Sequence, residues 1–506
     1  MERTEVLIVG AGPTGLALAL WLTRLGIKVR IVDKAAEPGT TSRALAVQAR
    51  TLELYRQLDL TEAVLEGGRA VPAVNLWARG RRVRRISFER LGSDLTAYPF
   101  LHIYPQDAHE RLLIERLANM GVTVERPAEL VDYVEDGGVV RARTRGANGA
   151  IAEMEAAFLA GCDGARSRAR EVLGTGFPGG TYRQLFYVAD VVAQGPSADG
   201  ELHLDLDEAD FLALFPLRGE GRARLIGTVS DERADADAMS FADVKGRAIA
   251  SLKVDVAKVN WFSTYRVHHR VTARFRVGRV FLLGDAAHIH SPVGGQGMNT
   301  GVGDAINLAW KLAMTLRGRA AEALLDTYEP ERIAFARRLV ATTDRVFTLV
   351  NATGPMADVL RIRIFPTILA AVTRSAAARR YLFRTVSQIT LNYRGSALSR
   401  GRAGRVAGGD RLPWAQGVGA GDNFLPLDLI AWQAHVYGAK SAPLEQACMR
   451  LSLPLHAFDW HPEHEKAGLA RNALYVVRPD GYVGLAEPTA SPAALERYFA
   501  DLRFEP

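Results

Sequence analysis

The chain opens on two short all-apolar runs separated by a helix-spaced apolar stripe. Val6–Val9 reads as a buried strand and Gly10–Gly15 as a glycine turn. An amphipathic helix closed by Gly26 follows, then a second apolar strand ending near Val32. The pattern predicts a βαβ unit. Helical spacing recurs near Thr51–Gln57 and over Asp107–Met120. Between them lies "LWARGRRVRRISF", where apolar Val83, Ile86 and Phe88 interleave the arginines around Gly80, the pattern of a solvated hairpin. From Val122 to Ala160 the chain alternates as strands joined at Gly137-Gly138 and Gly146.

Residues 183–275 read as mostly β with helical excursions. Val280–Leu283 is a continuous apolar strand that runs into a second glycine-rich segment and a long helix over Asp304–Arg317. Residues 325–390 are helical in pattern, with Pro330, Pro355 and Pro366 as breaks, and Ser399–Pro413 reads as a linker or long loop. "ALYVVRPDGYVGL" is a strand–turn–strand, and Ala493–Leu502 a closing amphipathic helix. There is no internal repeat.

At 506 residues the chain has room for roughly three domains. With 48% hydrophobic and 24% charged residues its usage is globular rather than disordered. The net charge of +7 is the one feature that raises nucleic acid, but no helix-turn-helix, zinc-finger or RNP pattern accompanies the arginines, so no nucleic-acid partner is expected. Cys162 and Cys448 form neither a disulfide framework nor a CxxC pair, which suits a cytoplasmic location. No apolar run approaches the roughly 18 residues of a membrane span, and Val6–Val9, which runs into glycines without a positive n-region, is not expected to be a signal peptide. The His288-x-His290 pair and the His456, His461 and His464 cluster lack a metal-binding frame, so no metal is expected.

Candidate chemistry sits in the two glycine segments. In Gly10-Ala11-Gly12-Pro13-Thr14-Gly15, the first glycine permits a tight turn, the second lets a pyrophosphate approach the backbone, and the third lets helix and strand pack closely. The helix N-terminus offers unpaired N–H groups to phosphate. Asp33, followed by Lys34, ends the second strand, where a carboxylate can accept from both ribose hydroxyls and would repel a 2′-phosphate. That selects FAD or NAD. The second segment, "VFLLGDAAHIHSPVGGQGMNTG", places Gly284-Asp285 at a strand end, where a carboxylate could bond a ribityl hydroxyl. Gly294, Gly295 and Gly297 follow just before a helix, whose N-terminus could stabilise negative charge on a reduced flavin ring. A simple nicotinamide dehydrogenase has no need of this second cradle, so FAD is the expected bound cofactor.

With these residues on the page, the chain resembles the FAD-dependent aromatic hydroxylases, the single-component flavoprotein monooxygenases, and within them the larger branch acting on phenols, phenylpropionates and aromatic polyketides. Four ordered motifs carry the resemblance: the first glycine turn with Asp33; "SRALAVQARTLEL" with Arg43; "GCDGARSRAR" with Asp163-Gly164; and Gly284-Asp285 with Pro292 and "GGQGMNTG". Gln106 matches a FAD-contacting glutamine of the family. The likeness is strong over residues 1–345 and loose over 345–400.

The resemblance implies an α/β fold. A Rossmann-like FAD-binding domain of glutathione-reductase type (1–180 with 276–345) carries an interleaved β-sheet substrate domain (181–275 with hairpin 72–105). A helical linker (346–400) leads to a thioredoxin-like C-terminal domain (401–506) that lacks the CxxC of a redox member. It further implies transient NADPH or NADH, O₂ as co-substrate, a flavin C4a-hydroperoxide, and hydroxylation of a phenolic or polycyclic aromatic substrate. FAD would be held by Gly10 to Gly15, Asp33, Lys34, Arg43, Gln106, Asp163, Gly284, Asp285, Pro292, Gly295, Gly297, Met298 and Asn299. Arg43, Pro292 and Gly295 would stand at the reacting ring.

The paired strands "FLALFPLRGEG" and "ARLIGTV" would carry Phe211, Ala213 and Phe215 on one face and Leu212 and Leu214 on the other. His102, Tyr104, Asp205, His268 and His269 are candidate bases for a ring hydroxyl, and none stands out. Baeyer–Villiger or epoxidising oxygenation, an oxygen-avoiding FAD dehydrogenase, and a flavin sensor remain alternatives at this point. The absence of a Trp-x-Trp-x-Ile-Pro pattern argues against halogenation. Monomer and homodimer are both open.

Overall fold

The computed structural model describes residues 2–506 apart from 41–43, 79, 88–91, 206–210, 230–238, 292, 351–374 and 418–420. Arg43 and Pro292, and the breaks at Pro355 and Pro366, lie outside the described residues.

The predicted βαβ unit is strand Glu2–Val9, helix Pro13–Arg24 and strand Val29–Val32. These strands form the middle of a parallel sheet ordered Val280–Leu282, Ile151–Gly161, Glu2–Val9, Val29–Val32 and Val124–Glu125. All of Gly15–Leu22 is buried, more than an amphipathic stripe requires. The helix is covered on several sides, by the sheet, by helix Gln106–Asn119 and by the long helix Gly297–Leu316. The first half of Ile151–Gly161 also pairs antiparallel with Val139–Gly146, which pairs with Ala128–Asp136, so the alternation over 122–160 is a meander grafted onto the parallel sheet.

A second, mixed sheet has eight strands, centred on the long antiparallel pair Gly179–Gln194 and Asp255–Val271. The arginine hairpin, Ala73–Ala78 with Arg81–Ser87, forms its far edge, and the expected central pair is Leu212–Pro216 with Arg222–Val229. One face, with Leu212, Leu214 and Tyr187, packs on helix Phe241–Leu252. The other, with Phe186, Val188, Ile226 and half-buried Phe215, meets Val71 and Ile103 of a small three-stranded sheet and Leu45 just before its first strand.

Two expectations change. Pro330 does not break a helix. It lies in the first turn of Tyr328–Val350, where a proline forfeits no intrahelical bond. Ser399–Pro413 is not a free loop: Arg400–Ala403 and Val406–Ala407 are strands of a third, six-stranded sheet. In it, Gln433–Tyr437, helix Ala442–Arg450 and Leu455–Phe458 form a parallel βαβ. The hairpin Leu474–Val477/Val483–Glu487 and helix Pro492–Leu502 complete the unit.

Burial keeps several histidines neutral: it pushes His109 and His435 down to about 3 and His290 to about 4. The unfolded chain binds protons at these sites from about pH 6.5 downward while the folded chain does not, so stability rises with pH between about 4 and 6.5. The melting temperature is therefore expected to fall steadily on acidification from pH 6.5 to 4. A flat profile across that range would contradict the burial.

Candidate functional site

Each glycine of the first turn answers a different demand. Gly10 has φ +103°, and a Cβ there would overlap the Cys162 carbonyl; its amide donates to the Val32 carbonyl at 2.8 Å. A Cβ on Gly15 would overlap the Gly10 carbonyl. Gly12 is different: its φ is −77°, and a Cβ would meet nothing within 4 Å. Neither its backbone nor a described neighbour asks for glycine, so the requirement is for close approach by a group entering the crevice. Helix Pro13–Arg24 starts there with Pro13 at its first position and no side chain capping its N–H groups. At the crevice wall Asp33 accepts from the Ala11 amide at 2.7 Å and the Ala35 amide at 2.8 Å and pairs with Arg126 at 3.1 Å, while Lys34 is exposed.

The second glycine segment converges on the first. Thr14 packs against Gly284 and Gly301, so close that a side chain at either position would strike its hydroxyl. Gly284 and Ala286 are buried, yet Asp285 between them is exposed at the crevice strand end. Gly294 and Gly295 have φ of +78° and +62°, and Gly295 abuts Ala46. Asn299, in the first turn of helix Gly297–Leu316, fixes this loop. Its Oδ1 accepts from the Gln48 amide at 2.9 Å and the Thr51 hydroxyl at 2.7 Å, and its Nδ2 donates to the Ala46 and Gly295 carbonyls. Met298 beside it is partly buried on the core. Gln106 begins its helix with its amide on the Ala44 carbonyl and its side chain on Glu110. Asp163 turns to the following helix, accepting from the Ser167 hydroxyl at 2.5 Å and the Ala169 amide at 3.0 Å; burial nevertheless raises its carboxyl above the usual range.

Behind the loop lies a network that sequence reading missed. Asp304, fully buried, accepts from the Gly284 amide at 3.0 Å, His288 Nε2 at 2.7 Å and Arg332 Nε at 2.6 Å. Burial alone would raise this carboxyl, but Arg332 and His288 outweigh it and hold it below the usual range. The only sequence signal was a carboxylate, Asp304, among the largely apolar positions of that helix. Arg126 beside Asp33 was also missed. So was Arg224, which makes a two-pronged bond to Asp190 at 2.5 and 2.8 Å on the same sheet face as Phe215.

The residues present fit FAD. The crevice leaves Gly12 open and exposes Asp285, and the loop between the motifs carries two buried polar atoms, His290 Nε2 and Ser291 Oγ, without a partner among the described residues. Residues 3–343 match the model of the family described as the FAD binding domain. The chain belongs to that family. It is a FAD-dependent flavoprotein monooxygenase of the aromatic-hydroxylase kind, as the four motifs implied.

The chain is 38% identical over 417 residues to a 6-methylpretetramide 4-monooxygenase of Streptomyces rimosus, covering 80% of this chain and 73% of that one. It is 33% identical over 503 residues to a flavin-dependent monooxygenase of Mycobacteroides abscessus, covering 95% and 96%. Among solved structures, OxyS anhydrotetracycline hydroxylase from Streptomyces rimosus superposes with a TM-score of 0.80 at 28% identity, covering 100% of this flavoprotein and 99% of that chain.

Each candidate base lies against a group of its own. His102 is bonded to the Val64 carbonyl, His268 to the Thr181 hydroxyl, and Tyr104 to the Ala108 carbonyl. The His269 ring packs at a tilt against Tyr182, and Asp205 bonds Ser251 of the helix covering the far side of the sheet. No helix among the described residues is long and apolar enough to cross a membrane, and no described group of three or more ligating side chains could hold a metal.

Proposed function

We propose that this flavoprotein hydroxylates a polycyclic aromatic substrate, of the size of a fused-ring polyketide, in the cytoplasm, using NADPH or NADH and O₂. The observation that carries the substrate class is the half-buried apolar face of the second sheet. Leu204, Phe215, Trp261 and Tyr265 lie there beside Leu45 and Ile103, and the adjoining Ala46 touches Gly295 of the glycine loop. A flat apolar ring system laid on this face reaches the loop. The named actions of the tetracycline-series relatives support the same reading over Baeyer–Villiger or epoxidising chemistry.

In this reading 1–180 with 276–345 forms the FAD-binding domain, and 181–275 with hairpin 72–105 the substrate domain. Residues 346–400 link them to a C-terminal unit, 401–506, whose strand order suits a thioredoxin-like appendage. Gly10 to Gly15, Asp33 and Lys34 would hold the adenosine and pyrophosphate side, with Gln106 a further FAD contact. Asp285 would bond the ribityl chain, and Arg43, Pro292, Gly295, Gly297, Met298 and Asn299 would stand at the ring, with Asp163 and Gly284 fixing the backbone between. Bound FAD, once reduced by the nicotinamide, supplies the activated oxygen. The chain's share is to seat the ring by backbone N–H groups at the helix start, to exclude water with the apolar face, and to hold the substrate edge toward the loop.

The two faces separate function from stability. Phe215→Ala is expected to raise KM for the aromatic substrate while leaving the melting temperature nearly unchanged. Leu214→Ala, on the helix-covered face, should cost about 2–5 kcal/mol of stability with KM unmoved. The reading itself is tested by NADPH and NADH oxidation with oxygen uptake across simple phenols, phenylpropionates and fused-ring polyketides. Acceleration confined to simple phenols would overturn the polycyclic assignment.

A further inference from the structure

The turn Arg478–Tyr482 of the C-terminal unit is driven into the back of the flavin-side domain. Its Asp480 carbonyl accepts from Arg50 at 2.5 Å, and its Pro479 carbonyl from Gln57 at 3.0 Å. Both donors belong to the segment Ala49–Gln57. The Tyr482 ring stacks under the Arg50 guanidinium at 5.0 Å. The same turn reaches the other helix of the site: Trp310 Nε1 donates to the Asp480 carboxylate at 3.2 Å. Arg478 makes a two-pronged bond, at 2.8 and 2.9 Å, to Glu331, which also receives Lys311 and Asn307 of helix Gly297–Leu316. All these charged groups are buried.

The two helices gripped from behind are the ones that meet in front at Asn299. One supplies Thr51, just after Gln48, to its Oδ1; the other carries Asn299 itself. A cavity of about 20 Å³, lined among others by Arg50, Thr51, Asn299, Asp480 and Tyr482, is all that separates the turn from the loop's anchor. Arg50 Nε, without a partner among the described residues, is buried beside it.

We propose that this turn is a positioning element of the flavin site: by clamping Arg50 and Trp310 it sets the spacing of the two helices that hold Asn299, and through it the loop at Gly294 and Gly295. The role asks for no redox chemistry from the C-terminal unit. It accounts for a buried ionic network that apolar side chains would make more cheaply.

The inference rests on the flavin site proposed above, and the test uses readouts that need no turnover. In the full-length protein, Arg50→Gln removes the clamp's charged contact with the segment Ala49–Gln57. FAD affinity, measured by fluorescence titration of apoprotein, is expected to weaken at least about tenfold, since only part of the lost contact reaches the flavin site through the helices. The vibronic structure of the bound-flavin spectrum and the flavin reduction potential should move with it.

Leu469→Ala, in the C-terminal unit's own core, is the stability control; it should lower the melting temperature with all three readouts unmoved. If Arg50→Gln does not fold, Trp310→Phe keeps a ring against Trp432 and Arg478 and removes the bond to Asp480, and it should shift affinity and potential in the same direction. Unchanged affinity, spectrum and potential in a folded Arg50→Gln or Trp310→Phe protein would overturn the proposal. So would an equal loss of affinity in Leu469→Ala, which would make the effect one of global stability. A parent protein that binds no FAD would instead overturn the flavin site itself.

Discussion

Gly12→Ala is expected to fold as the parent does and to lose FAD, with affinity falling about a hundredfold, or about 2.8 kcal/mol at 1.4 kcal/mol per decade. The separation follows from geometry. At φ −77° an alanine is unstrained, and its methyl group would stand in open space, so stability should stay within about 1 kcal/mol of the parent. That open space is where a pyrophosphate meets the backbone amides. Gly15→Ala gives the contrasting outcome, since its methyl group would overlap the Gly10 carbonyl and the turn itself would fail. FAD titration alongside circular-dichroism melting tells the cases apart. A Gly12→Ala protein that loads FAD as tightly as the parent would place the cofactor's phosphates elsewhere.

Asp304→Ala is expected to cost about 3–5 kcal/mol, because it strands the Arg332 guanidinium in a fully buried site. The Gly284 amide and His288 lose their acceptor in the same step, so the strand end that presents Asp285 should loosen and flavin content should fall with stability. Asp132→Ala is the reference: its pair with Arg143 lies at the surface, where such a bridge is worth about 0–1 kcal/mol. Denaturant midpoints of the two variants measure the difference. Equal midpoints would mean that the Asp304 network contributes no more than a surface pair.

How much of this was legible in the sequence depended on distance along the chain. The Glu2–Val32 unit was legible because its apolar runs, glycines and acid lie close together in the chain in one strand–turn–helix–strand order, which the structure repeats. The double-sided burial of the Leu212–Pro216 strand was legible for the same reason, since both alternating sets are apolar. The strand Arg400–Ala403 was not. Its glycines and arginines carry no strand signal, and its pairing partner Leu485–Ala486 lies more than eighty residues away. The Asp304–Arg332–His288 cluster is likewise assembled from three elements, and composition alone gave no reason to join them. Asp205 illustrates the opposite error: chemistry made it a plausible base, but strand alternation turns it to Ser251 and away from Phe215.

The most direct test is turnover of a fused-ring aromatic polyketide by the FAD-loaded protein with NADPH under ¹⁸O₂, with the product read by mass spectrometry. Incorporation of one ¹⁸O atom into an otherwise intact carbon skeleton is the predicted result. Consumption of NADPH with product carrying no ¹⁸O, or oxygen inserted into a ring carbon–carbon bond, would contradict the account.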